Sequence, residues 1–412
     1  MTDNKPMSLF KAYGTDNSLN ANNLHVVYGR GQSISAHTRK LVFSKTMTEE
    51  LEPKRTSRDL NEVQVRLSKW LQEKVGDKDA SITNIRRPTG SGMSSETLLF
   101  TAYFQHGGVR DDHSLVARLA PAAEDIPVFP SYDLDLQVQT MKIVEKETTI
   151  PVPRVLWLEI NPEILGVPFF VMEQVEGRVP PDIPPYVFGG WLLDASPENL
   201  QTVEKYSVHV ISELAKIDLT SLDTEFLQTG FSGETHLRRH FSAQQNYYQW
   251  VVGSNREHPV IENTFTWLEK NWPEESETVL SWGDSRIGNI MFSNESFIPV
   301  AVFDWEMAGL APVEVDLGWI VFLHSFFQDI AEKYDFPGLP NFMKAETVKQ
   351  IYKEQTGHTS KDLHWFMVYA GLRHAIIMSR INDRAVRFGE AVWAEDVDDA
   401  IPHSNLLWSM IR

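Results

Sequence analysis

The chain has 412 residues, 42% hydrophobic and 11% aromatic, which is too long for one small core and enough to fill two lobes or domains. A formal net charge of −18 argues against nucleic acid or an anionic membrane as the main partner, because a polyanion is repelled at long range. There is no cysteine, so disulfides and thiol chemistry are excluded, and a reducing cytoplasm is the simplest expected location.

Residues 1–57 are polar and lack sustained periodicity, and they read as an N-terminal extension, partly disordered or draped over the body. The first residues lack a signal-peptide apolar region, and no stretch approaches the roughly 18 apolar residues of a membrane span. From Arg58 to Val75, Leu60, Val63, Leu67, Trp70 and Leu71 recur at helical spacing and predict an amphipathic helix. Two β-rich segments follow between Ser81 and Phe104, on either side of Gly90-Ser91-Gly92-Met93-Ser94-Ser95. Read alone, that break is a hairpin turn; taken with the motif described below, it is a backbone cradle for phosphate oxygens. Ser114–Ala120 predicts a strand carrying Arg118, Leu134–Lys146 a helix, and Val167–Val175 another strand. Helical segments are then expected over 199–218, 235–254, 259–271, 313–333, 344–356 and 361–388. The expected class is α+β, with a β-rich lobe over 58–176 and a larger, mainly helical lobe over 177–412.

The most informative segment is Trp282-Gly283-Asp284-Ser285-Arg286-Ile287-Gly288-Asn289, followed after an apolar strand by Asp304-Trp305-Glu306. Thr278–Leu280 reads as a strand into this loop, and Ile290–Phe292 with Pro299–Phe303 as a hairpin out of it. An Asp and an Asn five residues apart, then an Asp at a strand end, is the pattern of a phosphoryl-transfer site. Asp284 orients a hydroxyl and accepts its proton, while Asn289 and Asp304 supply the oxygen ligands that Mg²⁺ requires.

These residues resemble the aminoglycoside phosphotransferase-like kinases, a group that includes choline, homoserine and methylthioribose kinases and the kinase domains fused to some acyl-CoA dehydrogenases. The usual signature begins with His where this chain has Trp282, which resembles a bacterial subgroup reading W-G-D-x-R-x-G-N. The likeness spans roughly residues 58–390 and implies a bilobal, protein-kinase-like fold that uses ATP and Mg²⁺. It implies that Gly90, Ser91, Gly92, Ser94 and Ser95 form the nucleotide loop. Arg118 takes the place of the phosphate-pairing Lys, with Gln137 where a helix Glu is usual. Main-chain groups near Glu173 and Val175 hold adenine at an inter-lobe hinge, covered by Met172. Asp316 buttresses the catalytic loop. The resemblance leaves the acceptor open.

Several residues remain for the acceptor. Arg373, Arg380, Arg384 and Arg387 share one helical face, readable either as a surface paired with the acidic run Glu395–Asp399 or as one wall of a pocket for an anionic alcohol such as a hydroxyacyl-CoA. His236, Arg238, Arg239 and His240 form a second basic group, and Tyr247, Tyr248 and Trp250 are core or pocket wall. Glu306 is expected either at metal or substrate or in a salt bridge to Arg286. The leading expectation is a small-molecule hydroxyl kinase. The alternatives are a catalytically silent nucleotide- or metabolite-binding relative, kept open by Trp282, Arg118 and Gln137, and an aminoglycoside-modifying resistance kinase.

Overall fold

The computed structural model describes residues 58–88, 94–106, 109–228, 230–253 and 257–412. It begins with helix α1 (Leu60–Val75), capped by the Asp59 carboxylate on the Asn61 N–H and closed by Gly76 in the left-handed region. Val63, Leu67, Trp70 and Leu71 make its buried stripe, and Trp70 meets Phe169 edge-on at 5.0 Å between ring centroids. The Trp70 indole N–H keeps a partner in Glu159 at 2.9 Å, so burying the ring strands no donor.

Behind this helix lies an antiparallel five-stranded sheet of β1 (Ser81–Arg86), β2 (Glu96–His106), β3 (Val109–Leu119), β4 (Val155–Glu159) and β5 (Phe169–Glu173), in the spatial order β1-β2-β3-β5-β4. Helix α2 (Leu134–Glu147) intervenes between β3 and β4. The order of elements is the one expected of a kinase small lobe, although β3 starts five residues earlier than the apolar pattern indicated. Its outer half, Val109–Ser114, is polar and exposed, so hydrogen bonding to β2 rather than burial defines it. Arg118 stands opposite Thr97 on β2 and Phe170 on β5, in the middle of the sheet.

The second lobe is built on α3 (Pro197–Leu214), α4 (His236–Val252), α5 (Pro259–Lys270), α6 (Glu314–Lys333), α7 (Ala345–Thr356), α8 (His364–Arg387) and α9 (Ser404–Ile411). Helix α6 is apolar around nearly its whole circumference and runs through the lobe centre, as such a helix must. It crosses α8 closely at Gly318, where a Cβ would lie 2.7 Å from the Phe366 backbone. Two short ribbons carry the functional loops: β6 (Thr278–Ser281) with β9 (Gly309–Pro312), and β7 (Ile290–Phe292) with β8 (Pro299–Val302). Strand β9 and helix α9 were not evident from periodicity, being four and eight residues long. Among the described residues no helix is long and apolar enough to cross a membrane.

Candidate active site

The loop after β6 is held from beneath by one carboxylate. Asp316, at the start of α6 and 1% exposed, accepts the Trp282 N–H at 2.8 Å and the Gly283 N–H at 2.9 Å. Burial pushes its pKa upward, and these two N–H donors oppose that shift by favouring the charged form. Ser285 Oγ donates back to the Asp316 carbonyl at 2.8 Å, so the loop and the helix end are tied in both directions. Gly283 has φ 86°, and a Cβ there would overlap the Met307 carbonyl, which leaves glycine as the residue that fits.

Trp282 is fully buried and packs on Trp305 at 5.7 Å between ring centroids. Its indole N–H donates to the Phe303 carbonyl at 2.9 Å, one residue before Asp304. It therefore couples the two halves of the motif, a scaffold role within reach of any buried ring bearing an N–H. Asp304 follows in the left-handed region at φ 61°, a backbone state that Asp tolerates better than most residues.

Asp284 is locked by three side-chain donors. Trp319 Nε1 donates to Oδ1 at 2.8 Å; Asn289 Nδ2 (2.7 Å) and Arg286 Nε (3.0 Å) donate to Oδ2. Trp319 lies on α6, and nothing in the sequence pattern marked it; one helical turn past the Asp316 buttress was the available clue. Arg286 is paired in turn with Asp182 from the segment after β5. Burial alone would lower the Arg286 pKa, but the carboxylates of Asp182, Asp284 and Asp304 outweigh it and hold the guanidinium charged. The expected alternative of an Arg286–Glu306 salt bridge is thereby corrected: Arg286 is already committed to Asp182 and Asp284.

Across the cleft, Arg118 reaches Asp304 Oδ1 at 2.9 Å and Thr97 Oγ1 at 3.1 Å. This ion pair spans the two lobes, with both side chains more than four-fifths buried. Arg118 thus takes Thr97 and Asp304 as partners in place of Gln137, which is buried and lines the cleft nearby. Glu306 also faces the cleft. Burial, then the neighbouring Asp304, pushes its pKa up to about 8, and its Oε2 has no hydrogen-bond partner. Ser94 bonds the Glu306 side chain, and Ser95 is buried. Gly90, Ser91 and Gly92 lie outside the described residues.

Asp182, Asp284, Arg286, Asn289, Asp304, Glu306, Arg118 and Gln137 border one inter-lobe cleft of about 780 Å³, whereas Trp282, Ser285 and Asp316 do not line it. At its hinge end lie Glu173, Gln174 and Val175, with Val116, Phe170 and Met172 as apolar walls. The N–H groups of Glu173 and Gln174 already serve the Arg154 and Ser114 carbonyls, at 3.0 Å each. The Glu173 carboxylate is paired with Arg154.

The basic groups are elsewhere. Arg373 is 1% exposed and lies under the catalytic loop, donating from Nη2 to the Gly283 carbonyl at 2.8 Å and stacking on Trp319 at 4.3 Å. Arg380 donates to the Pro127 carbonyl and covers Trp250. Neither lines the cleft, so the expectation that they meet the acceptor is corrected. The α8 face that carries Arg373 packs inward against α6, whose Trp319 the guanidinium covers. In the second basic group, Arg238 pairs with Glu269 and stacks on Trp272, Arg239 donates to the Gly233 carbonyl, and His240 is hydrogen-bonded to Tyr369. Tyr247 and Tyr248 are core residues.

The family model described as the phosphotransferase enzyme family matches residues 91–339, more than half of the chain. A human protein named acyl-CoA dehydrogenase family member 11 is 25% identical over 255 residues, covering 60% of this chain and 31% of its own length. Mouse acyl-CoA dehydrogenase family member 10 is 27% identical over 210 residues, covering 50% of this chain and 18% of its own. The chain thus spans less than a third of either relative. A solved structure from Ralstonia eutropha, assigned as an aminoglycoside phosphotransferase, superposes with a TM-score of 0.59 at 20% identity. The superposition covers 84% of this chain and 96% of that one, which establishes the kinase-like fold. The matched span makes this chain a member of the phosphotransferase enzyme family.

Proposed function

We propose that the protein transfers the terminal phosphoryl group of ATP, with Mg²⁺, to a hydroxyl of a small molecule. The observation that carries this reading is the triply held Asp284 carboxylate, facing the same cleft as Asn289, Asp304 and Arg118. Asp284 is the residue that orients the acceptor hydroxyl and takes its proton as the oxygen attacks. The donors from Trp319, Arg286 and Asn289 fix that carboxylate in place, and most of the catalysis in such sites is positioning.

The donor set suits Mg²⁺. Among the described residues no cluster of three or more His, Cys, Asp or Glu forms an all-protein metal site. Mg²⁺ prefers one or two protein ligands together with substrate phosphates and water. Asn289 donates its amide nitrogen to Asp284, leaving Oδ1 without a hydrogen-bond partner among the described residues, and Asp304 uses Oδ1 toward Arg118. Asn289 and Asp304 would hold the metal, which would supply neutralisation of the charge on the transferring phosphoryl group. Arg118 is placed to pair with those oxygens as well, and its planar, permanently charged guanidinium suits a two-oxygen clamp. With the N–H groups of Glu173 and Gln174 already used, Val175 is the hinge residue whose N–H is left for a purine, under Met172.

The test is a thermal-shift titration. ATP with Mg²⁺ is expected to raise the melting temperature far more than ATP alone, because a ligand that binds only the folded state stabilises it according to its affinity. Equal shifts with and without metal, or none, would remove the assignment of Asn289 and Asp304.

A further inference from the structure

Beyond Asp284 the cleft changes character. Its walls there are Trp319, Leu323 and Phe326 from α6 and Ile377, Met378 and Ile381 from α8. Val128 and Phe129, from the segment after β3, close it from the other lobe. None of these side chains is charged. The arginines that do line the cleft, Arg118 and Arg286, are both in ion pairs with carboxylates. An anionic acceptor would find no free cation among the described lining residues, and a polycationic one would find the carboxylates Asp182, Asp284, Asp304 and Glu306 around the catalytic loop and none on this wall. A charge of either sign laid along the wall itself would be buried without a partner there, which is costly, whereas an apolar body gains from leaving water.

Among the lining residues that α8 contributes, the polar one is His374. Its ring meets Trp319, the donor to Asp284, at 6.3 Å between centroids, and Phe326 at 5.4 Å. The hydrogen-bond chain behind it fixes its tautomer. His403 is fully buried, and its Nε2 lies 3.0 Å from the Gly371 carbonyl, an acceptor, so that nitrogen carries the hydrogen. Burial holds His403 near a pKa of about 4, hence neutral, so its Nδ1 is an acceptor. His374 Nδ1 sits 3.4 Å from that Nδ1 and must donate to it. Burial, then the neighbouring His403 and Arg286, holds His374 neutral too. Its Nε2 therefore bears a lone pair, with no protein partner among the described residues, at the edge of the cleft.

We propose that the acceptor is an uncharged alcohol with an apolar body and a second hydrogen-bond donor, and that His374 Nε2 receives that donor while the body lies along the α6–α8 wall. This rests on the phosphotransferase reading above and names the acceptor class for it. His374 is a positioning residue: it orients the molecule whose other hydroxyl meets Asp284.

The experiment is calorimetric titration of the full chain with the positional isomers of octanediol, with octanol, with ω-hydroxyoctanoate and with kanamycin. The wild type is expected to bind at least one diol about tenfold or more tightly than octanol, the hydroxy acid or kanamycin. His374→Phe keeps a ring and removes the acceptor, so it should erase the preference for the diol over octanol and leave ATP affinity unchanged. Ile377→Asp, on the wall, should weaken diol and octanol alike. Kanamycin or ω-hydroxyoctanoate binding as tightly as the best diol overturns the acceptor class, with no variant required. A diol preference that survives in His374→Phe overturns the role of His374. Binding is read here without turnover, so diol binding with no Mg²⁺-dependent ATP shift would remove the phosphotransferase reading instead.

Discussion

At the catalytic end of the cleft, the carboxylates that shape the loop are held by named donors: Asp284 has three side-chain donors, and Asp316 has two backbone N–H groups. At the acceptor end the wall is apolar, with His374 as its one polar contact from α8. The first region is specified by directional hydrogen bonds, some with near neighbours (Arg286 and Asn289 to Asp284) and some with a helix start 33 to 35 residues on (Asp316 and Trp319). The second is specified by which faces of two long helices happen to meet. Transfer geometry tolerates little variation, because a misplaced donor or base costs rate directly. An apolar wall tolerates many exchanges of similar volume, so acceptor choice can drift while the reaction stays the same.

Three substitutions test that contrast, beginning with the largest effect. Asp284→Asn keeps the shape of the catalytic end but removes its charge, and turnover of a confirmed acceptor should fall by about 10²- to 10⁴-fold. Calorimetry should show acceptor affinity little changed, since the apolar wall is untouched. Wild-type turnover in this variant would show that Asp284 is not the base.

Arg373→Ala probes how much the catalytic loop depends on its support from below. The guanidinium is 1% exposed, donates to the Gly283 carbonyl and lies close enough to Asp316 to favour its charged form. Removing it empties a large buried volume and leaves Asp316 less compensated, a loss expected at about 3–5 kcal/mol in urea unfolding. A loss under about 1 kcal/mol, the range of an exposed ion pair, would place Arg373 at the surface after all.

The smallest effect concerns the histidines behind the acceptor end. In the folded protein His403 is held near about 4, against an ordinary value of 6.5. Below pH 6.5 the unfolded chain takes up a proton there that the folded protein refuses until about pH 4. Stability is therefore complete above pH 6.5 and is lost as pH falls through that window, at up to about 1.4 kcal/mol per pH unit for this group. Urea midpoints between pH 7.5 and 5 should decline less steeply in His403→Asn than in the wild type. Parallel slopes would mean that His403 titrates normally and that the tautomer chain to His374 is wrong.

The site was legible where its chemistry is local. Asp284, Asn289 and Asp304 are visible because a loop between a short strand and a hairpin must place them together, and the Asp316 pattern follows within one more ribbon. Trp282 reads as a departure from a motif until its indole N–H is seen to take the Phe303 carbonyl. The arginine face of α8 misled because a 3.6-residue period shows which side chains share a face and says nothing about where that face points. Here Arg373 is buried and supports the loop, Arg380 covers Trp250 and Arg387 is exposed, while Ile377, Met378 and Ile381 line the cleft.

The sequence by itself determined the lobe order, most helices, the spacing of Asp284, Asn289 and Asp304 and the absence of cysteine, because strand and helix periods and short-loop motifs are properties of neighbouring residues. Only the tertiary structure decided that Trp319 holds Asp284, that Arg118 closes onto Asp304, and that His374 meets an apolar wall. Those contacts join residues 35, 186 and about 50 or more positions apart, and their distances are set by how α6, α8 and the sheet pack, which no local pattern encodes.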